Sequence, residues 1–500
     1  MLITILVYLA AMVGIGAVLA KQNQTTDDFY LGGRTLGPLV TAMSAEASDM
    51  SSWLLMGLPG VAYLSGTADA AWTAIGLAIG TYVNWLVVAK RLRNYTHVCG
   101  NSTTLPLFFS NRYRDNKRIL SVIAALLIII FFVPYTASGF AACGKLFANL
   151  FGMDYLPAML ISAIVIVAYT TLGGFLAAST TDFVQSIVMT IAIVVVFGFG
   201  ISKVGSFSAV MDNAKSMAGY FSLTHTHDVA TGTASPYSLL QIFSTLAWGL
   251  GYFGMPHVLL RFMAIGDANK LKLSRRVATV WVVISMAVSV FIGVIGNAMT
   301  KAGVLPTLKD PETIILVVAD LISKHGVLAT IIAGLILAGI LAATMSTADS
   351  QLLAASSSAS QNILKEVFMK DMSEKTGMLI ARITVLVIAL IGVFIARNPD
   401  SSVFQIVSFA WAGFGASFGP LVLLALFWKR STFQGALCGM VSGGVMVFVW
   451  KFLIRPMGGA LGIYELLPAF LLGLAVNVIV SLLTPAPSRE VQDEFDKVAS

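Results

Sequence analysis

Long apolar runs separated by short polar segments dominate this sequence. An α-helix needs about 20 mainly apolar residues to cross the hydrocarbon core of a bilayer, and the pattern predicts thirteen such spans. They lie near residues 3–20, 38–63, 70–90, 119–150, 157–175, 181–202, 237–260, 277–300, 327–346, 378–397, 403–428, 433–453 and 464–484. The chain is therefore predicted to be an all-α polytopic membrane protein.

Composition and charge agree with this interpretation. The chain is 57% hydrophobic and only 11% charged, whereas a soluble domain carries about 25% charged residues. With the N-terminus placed outside, the predicted inner segments hold 22 of the 31 Lys and Arg residues, as the positive-inside rule requires. We therefore predict a multi-pass protein of the plasma membrane with a cytoplasmic C-terminus. The net charge of +7 then reflects topology and gives no reason to expect nucleic-acid binding.

Two of the predicted spans contain helix-disfavouring residues in their middle. The second span carries "SAEASDMSS" at 44–52, and Ser and Asp compete with the backbone for hydrogen bonds in helix interiors. The seventh carries "WGLGYFGMPH" at 248–257, with three Gly and one Pro, which loosen or interrupt a helix. Such backbone is tolerated at membrane depth only where it is buried in protein or lines a cavity.

The spacing of the two breaks predicts the domain organisation. They lie five spans apart, which predicts two five-helix units of opposite orientation with a binding site between them. The whole chain, 1–500, is then one transmembrane transporter domain. Its parts are an extra N-terminal helix over 1–20, a first repeat over 38–202, a second repeat over 237–428, two C-terminal helices over 433–484 and a mobile cytoplasmic tail over 485–500.

Carboxylates and hydroxyls in two spans predict a cation site. Glu46 and Asp49 lie in the broken second span, and an ionisable residue at membrane depth is a functional hypothesis by default. The ninth span adds hydroxyls and a carboxylate at Ser346, Thr347, Asp349 and Ser350. Such hard oxygen ligands suit Na⁺ better than a transition metal. The alternative for Ser346 and Thr347 is that their hydroxyls only satisfy helix carbonyls.

Three further patterns are less specific. Asp182 near the inner end of the sixth span fits either a functional carboxylate or a solvated helix N-cap. A loop containing His225, His227 and Asp228 could ligate a metal, but two His in a polar loop favour a solvated surface. The "GLGYFG" at 249–254 lacks the strand that a dinucleotide fingerprint requires.

Six stretches of the chain resemble the signature stretches of the sodium:solute symporter family. They are "FYLGGRTLGP" (29–38), "ASDMSSWLLMGLPG" (47–60), "YTTLGGFLAAS" (169–179), "WGLGYFGMPH" (248–257), "AATMSTADSQLL" (342–353) and "AWAGFGASFGP" (410–420). The second and fourth resemble its proline-transporting branch most specifically. The resemblance implies a five-plus-five inverted-repeat core of the leucine-transporter type. It also implies a symporter, not an enzyme, that couples inward Na⁺ movement to L-proline uptake by alternating access, with Na⁺ as coupling ion, no cofactor and no obligate protein partner.

The resemblance also implies roles for individual residues. Sodium ligands would be the backbone carbonyls of Ala47, Met50 and Ala343 and the hydroxyls of Ser346 and Thr347. Asp49 would organise the broken segment, and a second ion site in some relatives matches Asp182, Asp349 and Ser350. Substrate contacts would come from Ser51, Trp53, Tyr135, Trp248, Tyr252 and Pro256, and Arg34 would belong to an inner gate. Aromatic faces can hold the apolar ring and the cationic nitrogen of proline.

Three residues depart from the family pattern. Glu46 and Ser52 stand where small residues such as Gly are expected, and Met255 stands where a Gln is expected. Glu46 could carry a proton, or it could pair with a cation and alter the choice of ion. The alternative prediction is therefore a cation symporter of the same family for another small amino acid or osmolyte, driven by Na⁺ or by protons.

Overall fold

The computed structural model describes residues 1–22, 24–369, 372–398 and 402–499. These residues are almost entirely helical, apart from connecting segments and one antiparallel hairpin in which His225–Asp228 pairs with Thr233–Pro236. The helices of the first half are α1 Leu2–Leu19, α2 Thr26–Leu31, α3 Pro38–Ser52, α4 Leu58–Ser65, α5 Thr67–Val83, α6 Ala89–Val98, α7 Leu105–Arg112, α8 Ile119–Phe151, α9 Tyr155–Val204 and α10 Phe207–Ser216. Those of the second half are α11 Leu239–Leu246, α12 Pro256–Ala264, α13 Leu271–Lys301, α14 Ile314–Ser323, α15 Val327–Ser357, α16 Glu374–Ala396, α17 Val403–Phe427, α18 Phe433–Val449, α19 Leu466–Leu483 and α20 Arg489–Ala499.

Ten helices in these ranges are long and apolar enough to cross a membrane. The remaining three of the thirteen predicted spans are helical but depart from that description. One is the shorter apolar helix Tyr155–Ala168, which belongs to α9 and lies before a sharp kink at Gly174 (φ 60°, ψ −164°). The other two are the spans predicted to be broken, and each consists of two helices joined by an irregular segment. The count of thirteen membrane crossings stays a prediction.

The first predicted break lies at the end of α3. Ser51 has φ 50° and ψ −172°, a conformation that interrupts the helix and that non-glycine residues rarely adopt. The Ser51 hydroxyl accepts the N–H of Trp53 at 3.0 Å, which gives that donor a partner outside the regular helix ladder. A π-helical turn over Trp53–Gly57 then leads into α4. The polar run therefore breaks the span as predicted.

The second predicted break lies between α11 and α12. A 3₁₀ segment over Ala247–Gly254 follows α11, and Met255 is extended (φ −77°, ψ 107°). Pro256 then begins α12, where its missing N–H needs no helical partner. Gly249 packs so closely on α5 that a Cβ at this position would collide with the carbonyl of Gly76. The glycines here therefore permit close helix contact as well as an irregular backbone.

The buried parts of two helices, α3 and α15, carry the predicted cation site. All residues of α3 from Thr41 to Ser52 are buried, although many of them are polar. The second half of α15, from Ile336 to Ser357, is buried as well. Buried polar groups require hydrogen-bond partners, so these two helices direct their polar side chains toward each other and toward α5, α8, α9 and α12.

The tail that the sequence predicted to be mobile forms a docked helix, α20. Its Phe495 is only 7% exposed, and the guanidinium carbon of Arg91 lies 4.8 Å from the centre of that ring. Glu494 accepts a 2.7 Å ion pair from Arg114. The apolar residues Val491 and Phe495 are four positions apart, so they lie on one face of a helix. That face can bury its side chains, which the prediction of a mobile tail did not take into account.

Candidate sodium and substrate site

Four of the five predicted sodium ligands meet between α3 and α15. The Ser346 hydroxyl donates to the Ala47 carbonyl at 2.9 Å and lies 3.2 Å from the Ala343 carbonyl. The Thr347 hydroxyl donates to the same Ala343 carbonyl at 3.1 Å. These oxygens are neutral, fully buried and grouped at the point where α3 approaches its break. The fifth predicted ligand, the Met50 carbonyl, accepts the N–H of Trp53 in the turn at that break.

Asp49 connects the two broken spans. Its Oδ2 accepts the phenol of Tyr252 at 2.6 Å, a length typical of an O–H···O⁻ hydrogen bond. Its backbone carbonyl accepts the phenol of Tyr135 at 3.3 Å. Side chain and main chain of Asp49 are therefore both held by residues predicted to contact substrate. This arrangement fits the predicted organising role of Asp49 at the break.

The predicted substrate aromatics lie together around the same break. The rings of Trp53 and Trp248 are 5.5 Å apart, and Tyr252 and Tyr135 reach Asp49 from two other helices. Ser51 is the residue of the break itself. All these side chains are at most 4% exposed, so the cluster is closed to solvent. Pro256 lies at the start of α12, directly after the irregular segment that carries Trp248 and Tyr252.

Three aromatic residues that sequence reasoning did not assign complete this cluster. Phe404 lies 6.0 Å from Trp53 and 5.6 Å from Trp248. Trp411 donates its indole N–H to the Trp248 carbonyl at 2.7 Å, and Tyr464 stacks on Trp248 at 5.1 Å. Trp411 lies in one of the stretches that resembled the family, so a sequence signal existed for it. Phe404 and Tyr464 look like ordinary residues at helix ends, and no sequence signal marks them.

Asp182 lies in a buried polar cluster that contains a cation of the chain itself. Its Oδ2 accepts the Ser44 hydroxyl at 2.7 Å and forms a 3.1 Å ion pair with Arg261. The same guanidinium donates to the Ser350 hydroxyl at 2.6 Å, and Ser350 donates to Asp349 at 3.0 Å. Asp182 is 0% exposed and lies inside α9. The interpretation as a solvated N-cap is therefore wrong.

Arg261 is the residue that sequence reasoning misplaced. The seventh predicted span ends near residue 260, which places Arg261 among the basic residues of the following inner segment, but it belongs to α12 and is 1% exposed. The sequence signal for its burial was its position in an apolar run, four residues after His257. This spacing places the two residues one helical turn apart on the same face of the helix. Indeed it donates to the His257 carbonyl at 3.0 Å. A buried guanidinium needs a carboxylate partner, and Asp182 provides it.

Glu46 lies on the face of α3 that packs against α5 and the turn after it. Its Oε1 accepts the indole N–H of Trp85 at 2.8 Å, and its Oε2 accepts the Thr81 hydroxyl at 3.3 Å. The residue is 0% exposed. Both of its hydrogen-bond donors are thus neutral, whereas Asp182 also accepts a hydrogen bond from the guanidinium of Arg261.

Arg34 lies outside the spans in a short 3₁₀ turn. Its guanidinium donates to the Met263 carbonyl at 2.6 Å and to the Ser102 carbonyl at 2.7 Å, which joins the end of α12 to the loop after α6. Burial, with a smaller contribution from Arg93 nearby, lowers the pKa of Arg34 to about 10. The residue therefore remains a cation at neutral pH.

The His-containing loop forms the hairpin. Asp228 accepts the N–H groups of Ala230 and Thr231 in its turn, and these hydrogen bonds lower the pKa of Asp228. His227 Nδ1 lies 2.9 Å from the Ala218 carbonyl. Among the described residues no group of three or more His, Cys, Asp or Glu is placed to hold a metal.

A cavity of about 460 Å³ borders the aromatic cluster. Phe404 forms part of its wall, together with Lys145, Asp310 and Glu312. Lys145 bonds Asp310 at 3.0 Å and Glu312 at 3.3 Å. Glu312 also accepts the N–H of Phe404 at 3.1 Å. The wall between cavity and cluster is therefore held by an ionic network anchored on the first turn of α17.

Two broken membrane helices, joined by the hydrogen bond from Tyr252 to Asp49 and lying beside a group of buried oxygens, define the class of the protein. Paired breaks of this kind characterise secondary transporters, whose freed carbonyls bind the coupling cation. The sequence pattern of the sodium:solute symporter family matches residues 29–443, and the chain belongs to that family. It is therefore a multi-span membrane transporter.

Individual relatives match over nearly the full length. The sodium/proline symporter of Escherichia coli is 41% identical over 99% of this chain and 95% of its own length. The osmoregulated proline transporter of Bacillus subtilis is 40% identical over 98% of this chain and 96% of its own length. Among solved structures, a Na⁺-coupled sialic acid symporter superposes with a TM-score of 0.79 at 18% identity, covering 97% of this chain and 98% of that one. The structure of MhsT in complex with L-phenylalanine gives a TM-score of 0.56 at 12% identity, covering 89% of this chain and 99% of that one. These two structural matches support the fold.

Proposed function

We propose that this protein is a secondary active symporter that couples inward Na⁺ movement to uptake of L-proline. The observation that carries the proposal is the meeting of Ser346, Thr347 and the Ala47 and Ala343 carbonyls at the broken end of α3. Relatives about 40% identical over nearly the whole chain are named sodium/proline symporters, and this supports both the ion and the substrate.

Na⁺ would be bound as cargo by those four oxygens, with the Met50 carbonyl as a fifth ligand. The two hydroxyls now donate to carbonyls, and each can rotate its proton away to offer a lone pair to a cation. Ligands drawn from both α3 and α15 would make ion binding hold the two helices together. Asp49 would contribute its negative charge nearby without direct ligation. No cofactor is required by this scheme.

Proline would bind between the aromatic residues and the break. Trp53, Tyr135, Trp248 and Tyr252 present apolar and π-rich surfaces, which suit a compact ring with a cationic nitrogen. Ser51 and Pro256 border the two irregular segments, where helix termini can attract the carboxylate. Alternating access would then follow from rocking of two inverted repeats, 38–202 and 237–428, with Arg34 in the inner gate. We propose an N-terminus outside and a C-terminus in the cytoplasm.

A second sodium position at Asp182, Asp349 and Ser350 has weaker support. Arg261 already donates to both Asp182 and Ser350, so a cation there would compete with the guanidinium. We therefore assign one coupling ion to the Ser346 site.

The alternative is a cation symporter of the same family for another small amino acid or osmolyte, coupled to Na⁺ or to protons. The observation that keeps it open is Glu46, a buried carboxyl with neutral hydrogen-bond donors, one residue before a proposed sodium ligand. Glu46 therefore affects the choice of coupling ion and leaves the fold assignment unchanged.

Uptake of radiolabelled L-proline into proteoliposomes of the purified protein tests the proposal. We expect accumulation with an inward Na⁺ gradient and none with an equal K⁺ gradient. Accumulation with a proton gradient alone would show that the coupling ion is H⁺ and not Na⁺. No uptake under either gradient would exclude proline, and competition by other amino acids and osmolytes in a binding assay would then identify the substrate.

A further inference from the structure

The segment between α18 and α19 reaches into the substrate cluster. Tyr464 lies just before α19, outside both proposed repeats, and its ring stacks on Trp248 with centres 5.1 Å apart and planes 20° apart. This is the most nearly parallel of the ring contacts that Trp248 makes. A peripheral segment thus contributes directly to the environment of a proposed substrate residue.

Tyr464 is fixed in place from three directions. Its backbone N–H donates to the Ser244 hydroxyl of α11 at 2.7 Å, and its phenol donates to the Ser408 carbonyl of α17 at 2.6 Å. The next residue, Glu465, is 0% exposed and accepts a 2.7 Å ion pair from Arg455. A side chain held in this way loses little further freedom when it restrains a neighbour.

Trp248 depends on such a neighbour because its own backbone is irregular. It lies in the 3₁₀ segment between α11 and α12, where hydrogen-bond geometry is poorer than in an α-helix. Trp411 holds its carbonyl at 2.7 Å, which fixes the main chain. The plane of the Trp248 ring is set by the aromatic rings around it, and Tyr464 is the one that stacks on it.

We propose that Tyr464 is a positioning residue for substrate: it sets the plane of the Trp248 ring and so determines the affinity for a cyclic amino acid. The proposal rests on the proposed function, in which Trp248 contacts proline. Tyr464 itself need not touch the substrate. Its effect should therefore appear in substrate affinity and in discrimination by ring shape, and not in the sodium requirement.

The test compares Tyr464→Phe with Tyr464→Leu and Tyr464→Met in proteoliposomes. Tyr464→Phe keeps the stacked ring and loses only the hydroxyl, so its KM for proline should stay within about twofold of wild type. Tyr464→Leu and Tyr464→Met remove the ring, and loss of an aromatic pair is expected to raise KM about 2- to 13-fold. Half-saturation by Na⁺ should not change. Phe452→Leu is the matched control, since Phe452 is an aromatic residue in the same connecting region that is 60% exposed.

Competition by sarcosine, an open-chain secondary amine, separates positioning from a general loss of folding. Positioning predicts that Tyr464→Leu and Tyr464→Met weaken proline binding more than sarcosine binding, so the inhibition constant of sarcosine divided by that of proline falls. A purely structural defect lowers the amount of active protein and leaves that ratio unchanged, which would overturn the proposal. An unchanged KM in both ring-deleted variants would overturn it as well. If wild type binds no proline, the proposed function fails and this inference fails with it; if wild type binds proline, only the role of Tyr464 is at stake.

Discussion

The hydrogen bond from Tyr252 to Asp49 offers the sharpest test of how the two broken spans cooperate. It joins the irregular segment before α12 to the last helical turn of α3 over 2.6 Å, and both residues are almost fully buried. Tyr252→Phe removes only the phenol oxygen and leaves the ring against Trp411, whose centre lies 5.1 Å away. The perturbation is therefore confined to one donor.

The expected magnitude follows from the charge and burial of the acceptor. A hydrogen bond to a charged group contributes about 1.5–3 kcal/mol, which corresponds to about 10- to 150-fold in a binding constant. Asp49 immediately precedes Met50 and the break at Ser51, so loss of its restraint should loosen the proposed sodium ligands. We expect Tyr252→Phe to weaken Na⁺ binding by at least about tenfold.

Titration of tryptophan fluorescence with Na⁺, in the absence of proline, measures this effect separately from substrate binding. Asp49→Asn should weaken Na⁺ binding at least as much, and the double variant should resemble Asp49→Asn, because contacting residues are not additive. Tyr237→Phe is a matched control, since its phenol donates to Asp69 at 2.9 Å away from the site. The reasoning is refuted if the control shifts Na⁺ binding equally, or if the Tyr252 and Asp49 effects simply add.

Three further predictions concern other contacts of the structure. Ser346→Ala should raise the Na⁺ concentration for half-maximal uptake about 2- to 13-fold. Thr344→Ala is the control and should leave it unchanged, because that hydroxyl donates to the Ile340 carbonyl of its own helix and not to a proposed sodium ligand; equal shifts would contradict the assignment. Arg261→Gln should lower the free energy of unfolding by about 3–5 kcal/mol, because it leaves the Asp182 carboxylate buried and unpaired. Arg261→Gln/Asp182→Asn should recover part of this loss. Thermal unfolding of the purified protein would contradict the prediction if the double variant were no more stable than Arg261→Gln. Phe495→Ala should detach α20, because the ion pairs that remain on this helix contribute only about 0–1 kcal/mol each. Limited trypsin cleavage at Arg489 should then be faster than in the control Phe495→Leu, which keeps a large apolar side chain.

The features of the fold that sequence could predict are those with local causes. The breaks at Ser51 and after Leu246 arise from short runs of Ser, Asp, Gly and Pro that act on their own backbone, so they can be located without knowing the neighbours. The long apolar runs give helices by the same logic. The kink at Gly174 could not be separated from an ordinary interhelical loop, because a glycine pair within an apolar run fits both.

Within the site, the residues that sequence missed have causes far away in the chain. Arg261 belongs in the core because Asp182 lies opposite it, 79 positions earlier in the chain. Phe404 and Tyr464 join the substrate cluster because α17 and the segment before α19 pack against the second break. Composition and periodicity carry no information on such pairings. The docked tail differs, since the helical spacing of Val491 and Phe495 was visible in the sequence.

The contrast between the two polar clusters on α3 supports our proposal that the coupling ion binds at Ser346. Near Asp182, the chain supplies its own cation, and Arg261 gives the buried carboxylate a 3.1 Å partner. Near Ser346, the grouped oxygens belong to hydroxyls and carbonyls, and the side chain of Asp49 follows two residues after Ala47. A carboxylate paired with a guanidinium of the same chain can hold helices together, whereas neutral oxygens beside a carboxyl group can bind a cation and release it again. The first cluster therefore suits a structural joint, and the second suits a site that must be filled and emptied in every turnover.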